Sequence, residues 1–447
     1  MSTPNNVARL PGFRDFVPED LALRDRLFDA WRRISRRYGF LEYDGPPLEP
    51  LDLYTRKSGE EIVGQLYSFT DKGDREVALR PEMTPSLARI LGERSRSMPK
   101  PIRWFSVPQL FRYERQQRGR LREHFQWNVD LLGEAGVAAD AEVLAVALDG
   151  LREVGLRSED VRARVSDRRL LAALLRSLGV PEERLEAAYG VVDKMEREPA
   201  DRILESLTDP EGVGLERGAA RRVVELFEVP TLDGIEASFG EREEVARSLE
   251  EIRTFMSILA ELGFGDFVEF DLTIVRGLAY YTGIVFEVFD RRGEFRAICG
   301  GGRYDDLLER VGGEPLSAVG FGMGDVVLGE LLKERELTPE YRREVDFFIV
   351  SIGEQQLPLA RRIARVQREN GRSVVYPLRK QSVRKQFSAA AAEGAREVLV
   401  LGPEEVGEGI AVLRDMRSGD ERKVELEHLL EVPEPEEKDA LPERMRS

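Results

Sequence analysis

The stretch from Glu123 to Leu132 alternates between polar and apolar side chains, and this pattern limits the possible fold more than any other in the chain. A period of two residues fits a β-strand, in which successive side chains point to opposite faces of a sheet. One face would carry Phe125, Trp127, Val129 and Leu131, and the other His124, Gln126, Asn128 and Asp130. Taken alone, the pattern is more often that of a surface strand in an antiparallel sheet than of a binding site.

The residues before this strand predict a mixture of helices and strands. Apolar residues recur at helical spacing between Glu19 and Tyr38, which predicts an amphipathic helix whose apolar stripe faces the core or a second subunit. A second helix is expected to begin near Thr84. Strands are expected on both sides of a turn within residues 65–79, and at residues 102–107 and 110–114.

A chain of 447 residues is too long for one ordinary core, so two or three domains are expected. The predicted organisation is a first domain over residues 1–336, with a helical insertion at about 161–263, and an α/β domain over residues 345–431. Apolar runs separated by helical patterns indicate a largely parallel sheet in the second domain. The acidic, proline-containing residues 432–447 are predicted to form a disordered tail.

Composition argues against several classes of protein. No stretch approaches the roughly 20 apolar residues of a membrane span, and residues 1–10 lack the apolar core of a signal peptide, so a cytoplasmic protein without membrane contact is expected. Cys299 is the single cysteine, and His124 and His428 are the two histidines. An internal disulfide is therefore excluded, and a zinc site built from Cys and His is not expected.

Charge points to a local contact with phosphate groups, because the formal net charge of −16 repels nucleic acid on average. Arg112 and Glu114 would share one face of the strand that precedes the alternating one. The loop after it carries four arginines around a glycine: Arg115, Arg118, Arg120 and Arg122. Such a concentration of guanidinium groups suits a polyphosphate and the acceptor end of a tRNA, although each residue alone could form an ordinary surface ion pair.

Four segments carry a family resemblance: FRYERQQRGRLREHFQWNVD (residues 111–130), LRPEMT (79–84), VRGLAYYTGIVFE (275–287) and GGGRYDDLL (300–308). The first resembles motif 2 of the class II aminoacyl-tRNA synthetases, in the version found in histidyl-tRNA synthetases. The second resembles that family's segment for the α-amino group, and the last two resemble its histidine-specific stretches. The likeness runs from Leu10 to about Leu430, and SVRKQFSAAAAEGAREVLVLG (382–402) resembles the anticodon-binding domain.

The resemblance implies a fold and a reaction. The expected fold is an α+β catalytic domain built on an antiparallel sheet with a helical insertion, followed by a C-terminal α/β anticodon-binding domain. The implied enzyme activates histidine with ATP to histidyl-adenylate and transfers it to the 3′ end of tRNA(His). Its implied partners are histidine, ATP with Mg²⁺, tRNA(His) and a second copy of the chain in a homodimer, with no zinc and no organic cofactor.

The resemblance also assigns site residues by position. Arg112 and Arg276 would act as the catalytic arginines on opposite sides of the α-phosphate. The remaining ATP contacts would be Glu114 at the adenine end, His124 stacked on the adenine and Arg120 near the γ-phosphate. Histidine would be held by Glu82, Thr84 and Gln126 at its ammonium group and by Asp130 and Tyr281, with Tyr280, at its imidazole. Contacts with tRNA would come from Gln117, Arg118, Arg122, Arg384 and Lys385.

The chain departs from the family pattern at three places. His124 stands where the family has a phenylalanine, and Ala279 stands where it has an aspartate. Residues 325–327, Asp-Val-Val, stand in motif 3 where an arginine for the γ-phosphate is expected. Arg120 is the expected substitute, with Asp325 orienting a metal-bound water or pairing with Arg120.

Two other functions are compatible with parts of the sequence. The synthetase-like regulatory subunit of ATP phosphoribosyltransferase shares the core fold, and the missing motif 3 arginine favours it. A histidine-sensing subunit, however, needs neither Arg112 and Arg276 nor an anticodon-binding domain. A stand-alone RNA-binding protein would not explain a pocket that pairs Glu82 with Asp130.

Overall fold

The computed structural model describes residues 8–55, 63–92, 94–114, 118–227, 231–275, 280–310, 315–341 and 343–431. It separates into two compact units, with the division between Pro339 and Glu340. The predicted disordered tail, residues 432–447, lies outside the described residues. No helix in the described ranges combines the length and the apolar character that crossing a membrane requires.

The first unit contains most of the regular structure. Its helices are α1 (Pro18–Arg37), α2 (Asp52–Thr55), α3 (Thr84–Gly92), α4 (Val137–Glu153), α5 (Arg168–Ser177), α6 (Leu185–Val192), α7 (Ala200–Thr208), α8 (Arg217–Leu226), α9 (Leu232–Phe239), α10 (Glu243–Glu261), α11 (Leu307–Arg310) and α12 (Asp325–Glu334). Its strands are β1 (Leu41–Glu42), β2 (Leu48–Pro50), β3 (Tyr67–Thr70), β4 (Glu76–Leu79), β5 (Ile102–Ser106), β6 (Gln109–Phe111), β7 (Glu123–Leu132), β8 (Val161–Asp167), β9 (Val268–Phe270), β10 (Ile284–Asp290), β11 (Cys299–Arg303) and β12 (Ala318–Gly324).

A large, mainly antiparallel sheet forms the centre of this unit. Its strand order is β1-β5-β7-β12-β11-β10-β8-β9, and β6 also pairs with β7. Only the outermost pairs of this order, β1 with β5 and β8 with β9, run parallel in the described residues. A smaller sheet has the order β2-β4-β3. The antiparallel catalytic fold expected from the sequence is therefore confirmed.

The apolar face of β7 packs on α1. The rings of Trp127 and Trp31 are stacked with centroids 5.9 Å apart, and the Trp127 indole N–H donates to the Ser35 hydroxyl at 2.9 Å. Leu27 and Ile34 complete the buried stripe of α1. The stripe therefore faces the core of its own subunit, so it gives no support to the predicted homodimer.

The helical insertion begins later than the sequence indicated. Val161–Asp167 is strand β8, which pairs with β10 on one side and β9 on the other, and helices begin only at Arg168. The prediction of helix from residue 161 is wrong because Val161, Ala163 and Val165 are buried at alternate positions of a strand. Helices α5 to α10 then form a hydrophobic core of their own.

The second unit contains β13 (Val345–Ser351), α13 (Leu357–Glu369), β14 (Val374–Val375), α14 (Val383–Ala392), β15 (Ala395–Leu401), α15 (Pro403–Gly407), β16 (Ile410–Asp415), β17 (Glu421–Glu425) and α16 (Leu426–Leu430). The strand order is β14-β13-β15-β16-β17. Strands β14, β13 and β15 are parallel to one another. The pairs β15–β16 and β16–β17 are antiparallel. The domain is α/β as expected, whereas the prediction of a largely parallel sheet is wrong for half of its strand pairs.

Candidate active site

A cavity of about 760 Å³ lies over the polar face of β7. His124, Gln126, Asn128 and Asp130 all line it, as the alternation of this strand predicted. The predicted residues Glu82, Thr84, Arg112, Glu114, Arg120, Tyr280 and Tyr281 line the same cavity. The structure thus brings together residues that are almost 200 positions apart in the sequence.

Glycines on the neighbouring strand β12 make room for these side chains. Gly320 is paired with Asp130 and Gly324 with Gln126 in the β7–β12 register. A Cβ atom at Gly320 would overlap the Asp130 carboxylate, and one at Gly322 would overlap the Gln126 amide. The alternate glycines of β12 therefore form the floor of the cavity.

Gly301 explains a second glycine-rich stretch. It lies in the central strand β11, and a Cβ atom there would come within 2.7 Å of both Phe286 and Phe321. Gly300 to Gly302 therefore belong to a strand and not to a turn. These glycines allow neighbouring side chains and backbone to approach the strand closely.

Asp130 is a buried residue of the cavity lining. Its carboxylate is buried and accepts a hydrogen bond from the hydroxyl of Tyr304. Burial raises the pKa of Asp130 to about 7, although the Tyr304 hydrogen bond opposes the shift. Tyr280 stands edge-on to Tyr304 with ring centroids 5.9 Å apart, and Tyr281 also lines the cavity. A small polar ring would thus meet both aromatic faces and a carboxylate.

Glu82 and Thr84 enter the cavity from the segment before α3. Arg80 holds this segment by donating to the Asp44 carboxylate at 2.8 Å, to the Gly45 carbonyl at 2.7 Å and to the Gln109 carbonyl at 3.0 Å. Glu82 is buried and Thr84 is the first residue of α3. Their oxygens, with the Gln126 side chain, form a group of acceptors suited to an ammonium ion.

Arg112 follows strand β6, which ends at Phe111. Its Nε donates to the Pro81 carbonyl at 2.9 Å, and its guanidinium lies 4.0 Å from Glu114. The sequence placed Arg112 and Glu114 within a strand, which is wrong, but both residues still face the same cavity. The Pro81 contact fixes the guanidinium beside the Glu82 segment.

His124 lies in the wall next to Arg112. Burial, followed by the charge of Arg112, lowers the pKa of His124 to about 3, while a hydrogen bond with the Gln126 side chain opposes the shift. The imidazole is therefore neutral at pH 7. Phe125 points to the other face of β7, where its ring meets Phe28 with centroids 5.1 Å apart. The ring that could stack on a nucleobase in the cavity is therefore the one at position 124 and not the one at position 125.

The arginine-rich loop forms the opposite wall. Arg120 pairs with Glu114 at 2.5 Å, and Arg122 lies over the ring of Tyr113 at 4.1 Å. Arg118 lies over the ring of Phe295 at 4.7 Å. The positions of Gln117 and Arg276 lie outside the described residues, as does that of Ala279.

Asp325 has a structural role that the sequence did not indicate. Its buried carboxylate accepts from Arg14 at 2.9 Å and from the Phe125 backbone N–H at 2.9 Å. Arg14 also donates to Glu123 at 2.6 Å. The hypothesis that Asp325 pairs with Arg120 is therefore wrong, since both partners are engaged elsewhere.

Comparisons with known proteins cover both units of the chain. Residues 12–324 match the family model for histidyl-tRNA synthetase, and residues 346–433 match that for an anticodon binding domain. The chain belongs to the histidyl-tRNA synthetase family. The histidine–tRNA ligase of Opitutus terrae is 44% identical over 94% of this chain and 96% of that protein. The chloroplastic/mitochondrial histidine–tRNA ligase of Arabidopsis thaliana is 41% identical over 94% of this chain and 85% of that protein.

A solved structure supports the fold of the synthetase. The crystal structure of histidyl-tRNA synthetase from Nostoc has a TM-score of 0.77 at 23% identity and covers 95% of this chain and 99% of that one. The relatives named as ligases match both domains at high coverage, so the synthetase is favoured over the regulatory subunit of ATP phosphoribosyltransferase.

Basic residues lie together on the anticodon-binding domain, around the start of α14. Arg384 and Lys385 are exposed in the first turn of α14. Lys380, just before this helix, lies 3.6 Å from Glu354 in an exposed ion pair. The cluster is therefore accessible to a polyanion.

Sequence reasoning missed several residues of the cavity wall. Tyr304 lies within GGGRYDDLL, but no local pattern marks this tyrosine as a residue of the site. Arg197 and Arg296 also line the cavity, but they belong to segments with no recognisable motif. Asn128 was placed on the correct face by alternation, yet it was not assigned a role.

Proposed function

We propose that this cavity joins histidine to ATP and that the resulting adenylate is the donor for tRNA(His). The observation that carries the proposal is the division of one cavity into two ends. Along the polar face of β7, Asp130 lies toward one end and His124, beside Arg112, toward the other, and Glu82 and Arg120 line the same cavity. An amino acid with a cationic amine and a polar ring fits the first end, and a nucleotide polyphosphate fits the second.

Histidine binding uses the end of the cavity that contains Asp130. Glu82, Thr84 and Gln126 accept the hydrogens of the α-ammonium group, while Asp130 accepts the hydrogen of one imidazole nitrogen. Tyr280 and Tyr281 flank the ring, and Tyr281 pairs with the other nitrogen. An apolar side chain of similar size would leave the second oxygen of the buried Asp130 carboxylate without a partner, which is costly and explains selectivity.

Activation requires that the histidine carboxylate attack the α-phosphorus of ATP and that pyrophosphate leave. Arg112 and Arg276 neutralise charge on the α-phosphate from two sides. Arg112 is already oriented by the Pro81 carbonyl, so little reorganisation is needed when ATP binds. Neutral His124 stacks on the adenine, Glu114 contacts its edge, and Arg120 lies toward the γ-phosphate.

Mg²⁺ enters with ATP as part of the substrate. The carboxylate of Glu287 lines the cavity and offers oxygen ligands of the kind that Mg²⁺ prefers. Bound there, the ion would supply positive charge to the phosphates. Glu82 and Asp130 contact histidine and not the metal ion.

Transfer to tRNA places its 3′ end over the same cavity. Gln117, Arg118 and Arg122 guide the acceptor stem, and Arg384 with Lys385 contacts the anticodon arm. A role in charging tRNA is consistent with a cytoplasmic enzyme. The homodimer remains a proposal that rests on the family, since the α1 stripe is buried within its own subunit.

The test is histidylation of tRNA(His) with purified protein, with formation of AMP measured in parallel. Wild-type protein should charge tRNA in the presence of histidine and ATP. Arg112→Ala should reduce adenylate formation by about a hundredfold or more. Arg103→Ala is the matched control, because Arg103 forms an ion pair with Glu142 at 3.0 Å on β5 and does not line the cavity. Equal losses in both variants would contradict the proposal.

A further inference from the structure

Arg296 reaches the active-site cavity where the sheet ends. It precedes β11, and it lines the cavity together with Val326 and Val327. The β11–β12 register pairs Cys299 with Met323. Arg296 lies three residues before Cys299, and Val326 lies three residues after Met323, where β12 gives way to α12. Arg296 therefore lines the same cavity as the two apolar residues of motif 3, Val326 and Val327.

The arginine-rich loop meets the same wall. A Cβ atom at Gly119 would lie 3.1 Å from Cγ2 of Val327, so this loop passes directly over that side chain. Arg118 lies over the ring of Phe295, the neighbour of Arg296, and 3.7 Å from Glu330 of α12. Three segments that are distant in sequence thus converge around one corner of the cavity.

Arg296 shares the cavity with other arginines. Of the described residues, the arginines that line the cavity are Arg112, Arg120, Arg197 and Arg296. Partial desolvation lowers the pKa of Arg296, and the charges of Arg120 and Arg197 lower it further, while Glu114 opposes the shift. Cations that repel one another inside a cavity are stabilised when an anion binds between them. The arrangement fits an anion with several charges.

We propose that Arg296 binds the β- and γ-phosphates of ATP and supplies the guanidinium that motif 3 lacks at Val327. This inference rests on the proposed function of the cavity. Arg120, whose charge acts on Arg296, is paired with Glu114 at 2.5 Å. Arg296 can form paired hydrogen bonds with phosphate oxygens, which a guanidinium does better than an ammonium group.

The assignment makes a distinction between ligands. ATP carries the β- and γ-phosphates, but AMP and histidyl-adenylate do not. Arg296 should therefore matter for ATP binding and for adenylate formation, and it should not matter for AMP binding or for transfer of histidine from a preformed adenylate to tRNA. A purely structural role would affect all four properties together.

The experiment compares Arg296→Ala, Arg296→Gln and Arg296→Lys with the control Arg292→Ala. Arg292 belongs to the same connection between β10 and β11 but forms an exposed ion pair with Glu334 at 3.4 Å. In pyrophosphate exchange, the Ala and Gln variants should raise the KM for ATP at least about tenfold, with the KM for histidine within about twofold. The Lys variant should recover part of the loss, and the control should match wild type.

Calorimetry with ATP and with AMP supplies a readout that does not depend on turnover. Weaker binding of ATP but not of AMP by Arg296→Gln supports the inference. Adding Val327→Arg to Arg296→Ala should lower the KM for ATP again, because it returns a guanidinium to the same corner. The proposed role of Arg296 would be overturned by an unchanged ATP affinity in the Ala and Gln variants. It would also be overturned if their affinity for AMP fell as much as their affinity for ATP. Wild-type protein without histidine-dependent exchange would instead contradict the proposed function, and the ATP and AMP affinities would still decide the role of Arg296.

Discussion

The hydroxyl of Tyr304 donates a hydrogen bond to the carboxylate of Asp130 across two strands of the central sheet. Tyr304 immediately follows β11, and Asp130 lies in β7, with the glycine-containing strand β12 between them. The contact fixes one carboxylate oxygen. The other is left for a ligand, and we infer that this ligand is the imidazole of histidine.

The first prediction concerns Tyr304 as a residue that positions Asp130. Tyr304→Phe removes the hydroxyl and keeps the ring that packs against Tyr280. We expect the KM for histidine to rise about tenfold because the carboxylate loses its orientation. The KM for ATP should change by less than about twofold. Steady-state pyrophosphate exchange measures both constants, and an equal rise in the two would indicate a general disturbance of the site.

The second prediction follows from the pKa of Asp130. The folded-state pKa is about 7, whereas the ordinary value is 3.8. Between these values the folded protein binds the proton more tightly than the unfolded chain, so this group's contribution to stability is lost as pH rises toward 7. Asp130→Asn removes that titration. We therefore compare the free energy of unfolding of the two proteins at roughly pH 5 and pH 8. On going from the lower to the higher pH, the value for the variant should rise by about 1–3 kcal/mol relative to the value for wild type.

Chemical denaturation at the two pH values measures this difference. The Asn side chain can still accept from Tyr304, so the comparison isolates the charge. A stability difference between variant and wild type that does not change with pH would argue against a raised pKa.

The third prediction tests the glycine floor. Gly320→Ala would place a methyl group against the Asp130 carboxylate and the Val129 carbonyl. We expect the histidine-dependent rate to fall at least about tenfold, because displacement of about 1 Å in a reacting group is costly. Gly329→Ala is the control, since its Cβ would lie 3.9 Å from Leu23 in ordinary contact. Similar rates for the two variants would show that the floor tolerates a side chain.

The fourth prediction concerns Asp325. Asp325→Ala leaves Arg14 and the Phe125 N–H without their buried acceptor, so the free energy of unfolding should fall by about 2–4 kcal/mol. Asp15→Ala is the matched control, because its ion pair with Arg9 at 3.2 Å is exposed and should contribute little. Urea denaturation of both variants gives the comparison. Wild-type stability in Asp325→Ala would contradict the structural role.

The sequence predicted the central strand and which of its side chains share a face, because local alternation specifies both. In β7, alternation alone separates His124 and Asp130 from Trp127. The strand β8 was harder to predict, since Arg162 and Arg164 interrupt its buried residues and give a composition typical of a charged helix. The edge strand β17 is mostly exposed, so it lacks an apolar signal.

Long-range pairs were beyond sequence reasoning. Arg14 and Asp325 are 311 positions apart, and neither belongs to a periodic pattern that would indicate the other. The position of Arg296 could likewise not be predicted from the sequence, because its place in the cavity depends on how β11 pairs with β12. The motif identified the missing arginine at Val327, but only the fold shows which guanidinium lies nearby.

Histidine-dependent exchange of pyrophosphate into ATP tests the central claim most directly, that the Asp130 end of the cavity selects histidine for activation. Wild-type protein should catalyse exchange with histidine and with none of the other standard amino acids. Asp130→Ala should lower kcat/KM for histidine by about a hundredfold or more. Exchange that proceeds with a different amino acid, or undiminished histidine exchange in Asp130→Ala, would contradict the account.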